Sequence, residues 1–190
     1  DGQNIFVKED FQSCSHGVSL GVFVDEALSF ADSHAIPLDA VAVSCGPGSY
    51  TGLRIGVSMA KGVCYGRDIP LIGIPTVEIL CVPILLYHEL PDNALLCPMI
   101  DARRMEVFTA FYDKNYNQIR TTQAEIIDEN SYQEISEKIH LVGDGTEKFK
   151  NTLTHERFVF HSDVIFPSAP SCLSSPTATP IPSAIAFDKP

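Results

Sequence analysis

The stretch Ala40-Val41-Ala42-Val43-Ser44-Cys45-Gly46-Pro47-Gly48-Ser49-Tyr50-Thr51-Gly52-Leu53-Arg54-Ile55-Gly56 constrains the chain more than any other. Its apolar, β-branched start reads as a buried strand, Gly46-Pro47-Gly48 breaks it, and Ser49 or Thr51 can cap a helix running to about Tyr65. The next strand-like run, Leu71-Ile72-Gly73-Ile74, must then be reached by a crossover, so the order implies an α/β sheet. A helix N-terminus behind glycines gathers unpaired N–H groups and the positive end of a helix dipole at one spot, which suits a phosphate or a partner's carboxylate. A tight turn with a helix cap accounts for the same residues. The string is no Walker loop, because no Lys-Ser/Thr pair follows at the required offset.

Around this unit the hydrophobic pattern predicts further elements. Leu20, Phe23, Val24, Ala27, Leu28 and Ala31 recur at helical spacing over Gly17 to Ser33. Val77 to Tyr87 reads as an apolar helix broken or shifted by Pro83. Leu96–Ile100 and Glu106–Tyr112 read as a hairpin turning at Asp101-Ala102-Arg103-Arg104. A helix is expected over Ser131 to Ile139, then a short strand at His140-Leu141-Val142, a Gly143-Asp144-Gly145 turn, and a second helix capped by Thr146. Ile5-Phe6-Val7 reads as a strand, and Asp1-Gly2 before it is either the turn of a hairpin whose first strand is missing or simply a frayed start. Beyond Pro167 the Ser/Pro-rich composition predicts an irregular tail. The division expected is 1–94 for an N-terminal lobe with the glycine loop, 95–170 for a C-terminal lobe, and 171–190 for the tail.

A chain of 190 residues buries about 70% of its unfolded surface, enough for a core without disulfides or metal. No apolar run reaches the ~18 residues of a membrane span, so a soluble protein is expected. With 13 Lys+Arg against 24 Asp+Glu the net charge is -11, which makes the chain alone a poor binder of nucleic acid. The six cysteines form no Cys-x-x-Cys pair and mostly sit in apolar runs, as buried thiols of a reducing compartment do. His16, His34, His88, His140, His155 and His161 lie far apart, so no metal site is expected from spacing.

Gly46 to Gly56, the following Ala60-Lys61-Gly62, and Asp101-Ala102-Arg103-Arg104-Met105-Glu106-Val107 together resemble the TsaB/YeaZ family. With Leu141 to Gly145 and Phe166-Pro167-Ser168-Ala169-Pro170, the likeness runs from residue 1 to about 170. It departs from the family at both ends: the first strand with its Glu-Thr-Ser signature is absent, and a Ser/Pro tail stands where the family has a helix and a strand. The resemblance implies an actin-like, two-lobed α/β fold of the sugar-kinase and heat-shock ATPase type, with mixed sheets flanked by helices. It also implies a cytoplasmic, noncatalytic partner and activator of the enzyme TsaD in making threonylcarbamoyladenosine on tRNA. TsaE is the further partner, tRNA is reached only through the complex, and the chain alone forms a homodimer. Asp101 to Arg104 would match a phosphate-binding hairpin and Gly143-Asp144-Gly145 the turn near an adenosine site. The chain alone is expected to hold no cofactor, ATP or ADP belonging to the interface of the complex.

The catalytic relative carries a His-x-x-x-His metal pair where this chain has Gly73-Ile74-Pro75-Thr76-Val77-Glu78-Ile79-Leu80. One carboxylate does not make a catalytic site that takes about three protein ligands, so no catalytic residues and no metal ligands are assigned. The candidate contact residues for an anion or partner are Gly46, Pro47, Gly48, Ser49, Tyr50, Thr51, Gly52 and Arg54. On the two helices the resemblance assigns Leu20, Val24, Leu28, Gly56, Met59, Ala60 and Val63 to a bundle with TsaD or a second copy, while internal packing explains the same apolar residues. Gly52, Gly56, Ala60 and Gly62 allow close helix approach. Tyr50 is a contact or a lid on the loop. Arg54 and, in the hairpin turn, Arg103 either bind an anion or neutralise a neighbour such as Asp101. The rival readings are a nucleotide-binding ATPase-like protein and a metallopeptidase of the old glycoprotease label.

Overall fold

A computed structural model of the chain describes residues 4–10, 16–173 and 179–180, which fall into two compact units. The division passes between Ile74 and Pro75, with residues 46–48 grouped with the second unit and residues after Ser171 with the first.

The first unit is a βαβ crossover with one more helix and one more strand. Helix α1 (His16–Ser33) leads through residues 34–40 to β1 (Val41–Ser44), α2 (Tyr50–Arg67) and β2 (Leu71–Ile74). β1 and β2 pair in parallel from Val41 opposite Leu71 to Ser44 opposite Ile74. Ser49 caps α2, its hydroxyl accepting the Gly52 N–H at 3.4 Å. The helix stops where Asp68 turns left-handed (φ 55°) and its N–H returns to the Cys64 carbonyl. Ala60, Cys64 and Leu71 form the small core, with Val41, Val43 and Ile69 packed on it.

Two expectations change here. Thr179–Pro180, placed in an irregular tail, forms β8 and pairs antiparallel with β2, and Ala169–Leu173 is the short helix α4. A sheet edge tolerates a proline, which offers no ladder donor of its own. Ile5-Phe6-Val7 is not a strand: Ile5 and Val7 are exposed, and Phe6 instead packs its ring 5.1 Å from that of Phe30. Asp1-Gly2 and the rest of the tail lie outside the described residues.

The second unit is a five-stranded mixed sheet. Helix α3 (Thr76–Tyr87) precedes β3 (Leu95–Asp101), β4 (Glu106–Asp113), β5 (Gln118–Ile126), β6 (Ile139–Val142) and β7 (Phe158–His161), ordered β5-β4-β3-β6-β7. β3, β4 and β5 are antiparallel neighbours, whereas β6 and β7 add in parallel. Alternate residues of β3 enter different cores: Leu96 and Ile100 join Val77, Leu80, Ile84 and Tyr112, while Cys97 and Met99 join Phe111, Leu141, Phe149 and Leu153. β3, at the middle of the sheet, is therefore buried on both faces. α3 runs through Pro83 without the expected break, because Ile79, Leu80, Cys81, Val82 and Ile84 are all buried around it. Packing of that extent offsets the roughly 3 kcal/mol that an interior proline costs a helix.

Ser131 to Ile139 is not a helix: residues 131–134 form turns, and Ile139 already begins β6. The Asp128 carboxylate accepts from the Asn130 N–H and the Ser131 hydroxyl, and that hydroxyl accepts from the Asp128 N–H. Such local bonds compete with helix formation. Thr146 caps no helix either: its hydroxyl donates to the Gly143 carbonyl at 2.8 Å, and only a short 3-10 turn, Glu147–Phe149, follows. β5 and β7 were not foreseen, β5 because its residues are mostly polar and exposed. Among the described residues no helix is long and apolar enough to cross a membrane.

Candidate functional site

The glycine bend is built for conformation. Gly46 (φ 109°) and Gly48 (φ 154°) lie where side-chain-bearing residues are strained, and the Gly46–Pro47 peptide is cis. The Gly46 carbonyl accepts the Thr76 N–H at 2.8 Å, so the bend is tied to the start of α3. Of the two caps foreseen, Ser49 serves, and Thr51 turns instead to a groove in the first unit.

That groove, of about 850 Å³, lies between α1 and α2. Gly21, Val24 and Leu28 line it from α1; Ile55, Met59 and Val63 line it from α2. At its rim Tyr50 is 74% exposed with the Arg54 guanidinium 5.4 Å over its ring. The helices approach through glycines that spacing did not single out: a Cβ on Gly17 or Gly21 would stand 3.9 or 3.8 Å from Ile55 or Met59. Arg67 clamps the far end, donating to both Asp32 carboxylate oxygens at 2.8 and 2.6 Å and holding that carboxyl below its usual range.

Of the residues assigned to a partner-facing side, Val24, Leu28, Met59 and Val63 line the groove, whereas Leu20 and Gly56, both half-buried, are not part of its lining. Ala60 faces the other way, buried against Leu71 in the unit's own core. The 3.6-residue repeat of α2 carries apolar residues on both sides, and only the sheet decides which side is inside. Gly62 lines the groove, and a Cβ there would meet nothing within 4 Å.

In the second unit the Asp101–Arg104 and Gly143–Gly145 turns carry contacts within the protein. Asp101 pairs with the Lys148 ammonium, not with the Arg103 side chain; Arg103 contributes its backbone N–H at 2.9 Å. Lys148 is the main reason the Asp101 carboxyl sits below its usual range. Arg103 (φ 75°) and Arg104 (φ 50°) both hold left-handed turn conformations, and Arg103 is exposed. In the Gly143-Asp144-Gly145 turn, the Gly145 N–H donates to the Met99 carbonyl at 3.0 Å and the Asp144 carboxylate accepts the Asp101 N–H at 3.0 Å. A Cβ on Gly143 would lie 2.4 Å from the Met99 oxygen, and one on Gly145 2.8 Å from Val107. These glycines serve close packing against β3.

Three histidines that spacing kept apart converge in this unit. His140 Nδ1 lies 2.9 Å from His161 Nε2, His161 packs edge-on to His88 at 4.7 Å, and His88 Nε2 is 3.4 Å from an Asp163 carboxylate oxygen. Burial, with the neighbouring His161, Lys138 and His88, lowers the pKa of His140 to about 4, and burial lowers that of His161. No local motif announces this cluster, because β6, β7 and the end of α3 supply its members. Cys64, Cys81 and Cys97 are buried free thiols, and burial pushes Cys97 up to about 12, far from a reactive thiolate.

The model of the TsaD family, described as tRNA N6-adenosine threonylcarbamoyltransferase, matches residues 10–172. A Bacillus subtilis (strain 168) protein named tRNA threonylcarbamoyladenosine biosynthesis protein TsaB is 35% identical over 98 residues, which cover 52% of this chain and 41% of that protein. Its namesake from Escherichia coli (strain K12) is 28% identical over 177 residues, covering 88% of this chain and 75% of that one. The chain thus spans less than half the length of the Bacillus relative it matches. The solved structure of YeaZ from Pseudomonas aeruginosa superposes with a TM-score of 0.69 at 17% identity, over 87% of this chain and 76% of that one. The family match and this neighbour fit the actin-like class of α/β fold.

Proposed function

The chain belongs to the TsaD family and, within it, to TsaB/YeaZ, and from that premise we propose that it is a noncatalytic subunit serving formation of threonylcarbamoyladenosine on tRNA. It acts by offering the α1/α2 groove to the matching helices of a TsaD-type enzyme, or to a second copy of itself when that enzyme is absent. TsaE joins the assembly, and a tRNA-directed role sets the cytoplasm as the compartment. The observation that carries the reading is the groove itself, apolar along Val24, Leu28, Met59 and Val63 with Tyr50 and Arg54 at its rim. A pocket of this kind, with an aromatic and an arginine, suits a partner's helix. Two further features favour a scaffold over an ATPase or a peptidase. The Thr76–Leu80 stretch offers one carboxylate, Glu78, and that residue is buried within α3. The Gly143–Gly145 turn spends the Gly145 N–H and the Asp144 carboxylate on the protein's own backbone.

Gly62→Arg tests the reading. The position is exposed and a Cβ there is unopposed, so the variant folds, while its side chain fills the groove. Expected is an unchanged circular dichroism spectrum with capture of a TsaD-type partner reduced at least tenfold; capture at the wild-type level would refute the groove as the docking face. Calorimetric titration with ATP, first on the chain alone and then with the partner present, is expected to show binding only in the second case.

A further inference from the structure

We propose that His88, His161 and Asp163 form a binding site for one divalent metal ion of the zinc class. Each side chain offers one ligand atom, and the three atoms lie within 4.8 Å of one another. Two atoms each about 2.1 Å from a tetrahedral ion stand about 3.4 Å apart. The separation of His88 Nε2 from the Asp163 carboxylate is 3.4 Å, so this pair already has ligand spacing. Two imidazoles and one carboxylate suit zinc and its neighbours, while magnesium and calcium favour all-oxygen sets.

The three ligands sit on separate supports. His88 follows the last turn of α3, its N–H bonded to the Ile84 carbonyl at 3.1 Å. His161 ends β7, paired in register with Val142 of β6, and Asp163 stands two residues on in the adjoining turn. Behind them His140, buried on β6, bonds His161 at 2.9 Å with the two ring planes within 24° of parallel. This bond engages Nε2 of His161 and orients its ring, the task of an outer partner in metal sites. His140 is thus a positioning residue. Asp163 is exposed and His88 partly so, which leaves an ion here open to solvent and to an exchangeable ligand. An ordinary histidine–carboxylate pair has no need of a second imidazole in reach.

The test uses the full chain, stripped with a chelator and titrated with cobalt(II), whose visible absorption reports low coordination numbers and whose charge-transfer bands report thiolates. Expected is one cobalt per chain, displaced by zinc, without thiolate bands. Because loss of even an outer partner costs about 10- to 100-fold in metal affinity, Asp163→Asn and His88→Gln should each weaken binding by about 100-fold with the fold intact by circular dichroism. Absence of saturable binding to the folded chain would overturn the proposal. So would affinity unchanged in both variants, or binding lost on Cys45→Ser in its place. The proposal stands independently of the scaffold reading, since neither variant alters the groove.

Discussion

At the scale of single residues, the glycines divide into those that hold the fold and those that leave room. Gly143 combines φ 106° with a backbone oxygen 2.4 Å from where a Cβ would stand, so neither rotation nor a flexible neighbour can relieve a side chain. Gly143→Ala is expected to cost about 3 kcal/mol or more, measured as a shift of the urea midpoint. Gly62 lies inside α2 in open space, and Gly62→Ala should stabilise by roughly 0.5–1 kcal/mol through the lower entropy of the unfolded chain. If the two substitutions had similar effects, packing at Met99 would not be what selects glycine at 143. The sequence shows both as glycine. Only the β3 backbone distinguishes them.

Among the elements, α3 shows how burial overrides local preference. It carries Pro83 yet remains one helix, with its apolar residues buried nearly all round. Restoring the missing N–H by Pro83→Ala should raise stability by about 1–3 kcal/mol without changing the sheet, read as an increase in melting temperature at constant far-ultraviolet spectrum. A fall in stability would mean that the pyrrolidine ring's packing outweighs the lost hydrogen bond. α2 teaches the complementary lesson. Its strand-turn-helix punctuation was legible residue by residue, including the Ser49 cap, but its apolar residues serve two surfaces. Ala60 goes to the sheet and Met59 to the groove, one residue apart.

Across the whole molecule, acid should be destabilising through the histidine cluster. His140 faces His161, His88 and Lys138, with Asp163 beyond, and its folded pKa of about 4 lies below the ordinary 6.5. A group whose folded pKa is depressed favours the folded state fully above pH 6.5, and that contribution declines as pH falls towards 4. The difference is on the order of 3 kcal/mol. Melting temperatures of the chelator-treated chain from pH 7 to pH 4 should fall accordingly, and His140→Gln should flatten the slope; an equal slope in that variant would locate the acid sensitivity elsewhere.

The sequence by itself determined the βαβ start, the glycine bend, the β3–β4 hairpin, the amphipathic helix before them and the family, because turn chemistry and hydrophobic period act over a few neighbouring residues. It did not determine the Asp128–Ser131 turns, where side-chain bonds to the backbone displaced a helix, nor the exposed β5, whose polar residues carry little periodicity. Tertiary structure alone decided which side of α2 is inward, that Lys148 forms the ion pair with Asp101, and that His88, His140 and His161 meet. Each of those outcomes depends on strands and helices brought together from distant parts of the chain, and such proximity leaves no trace in local spacing.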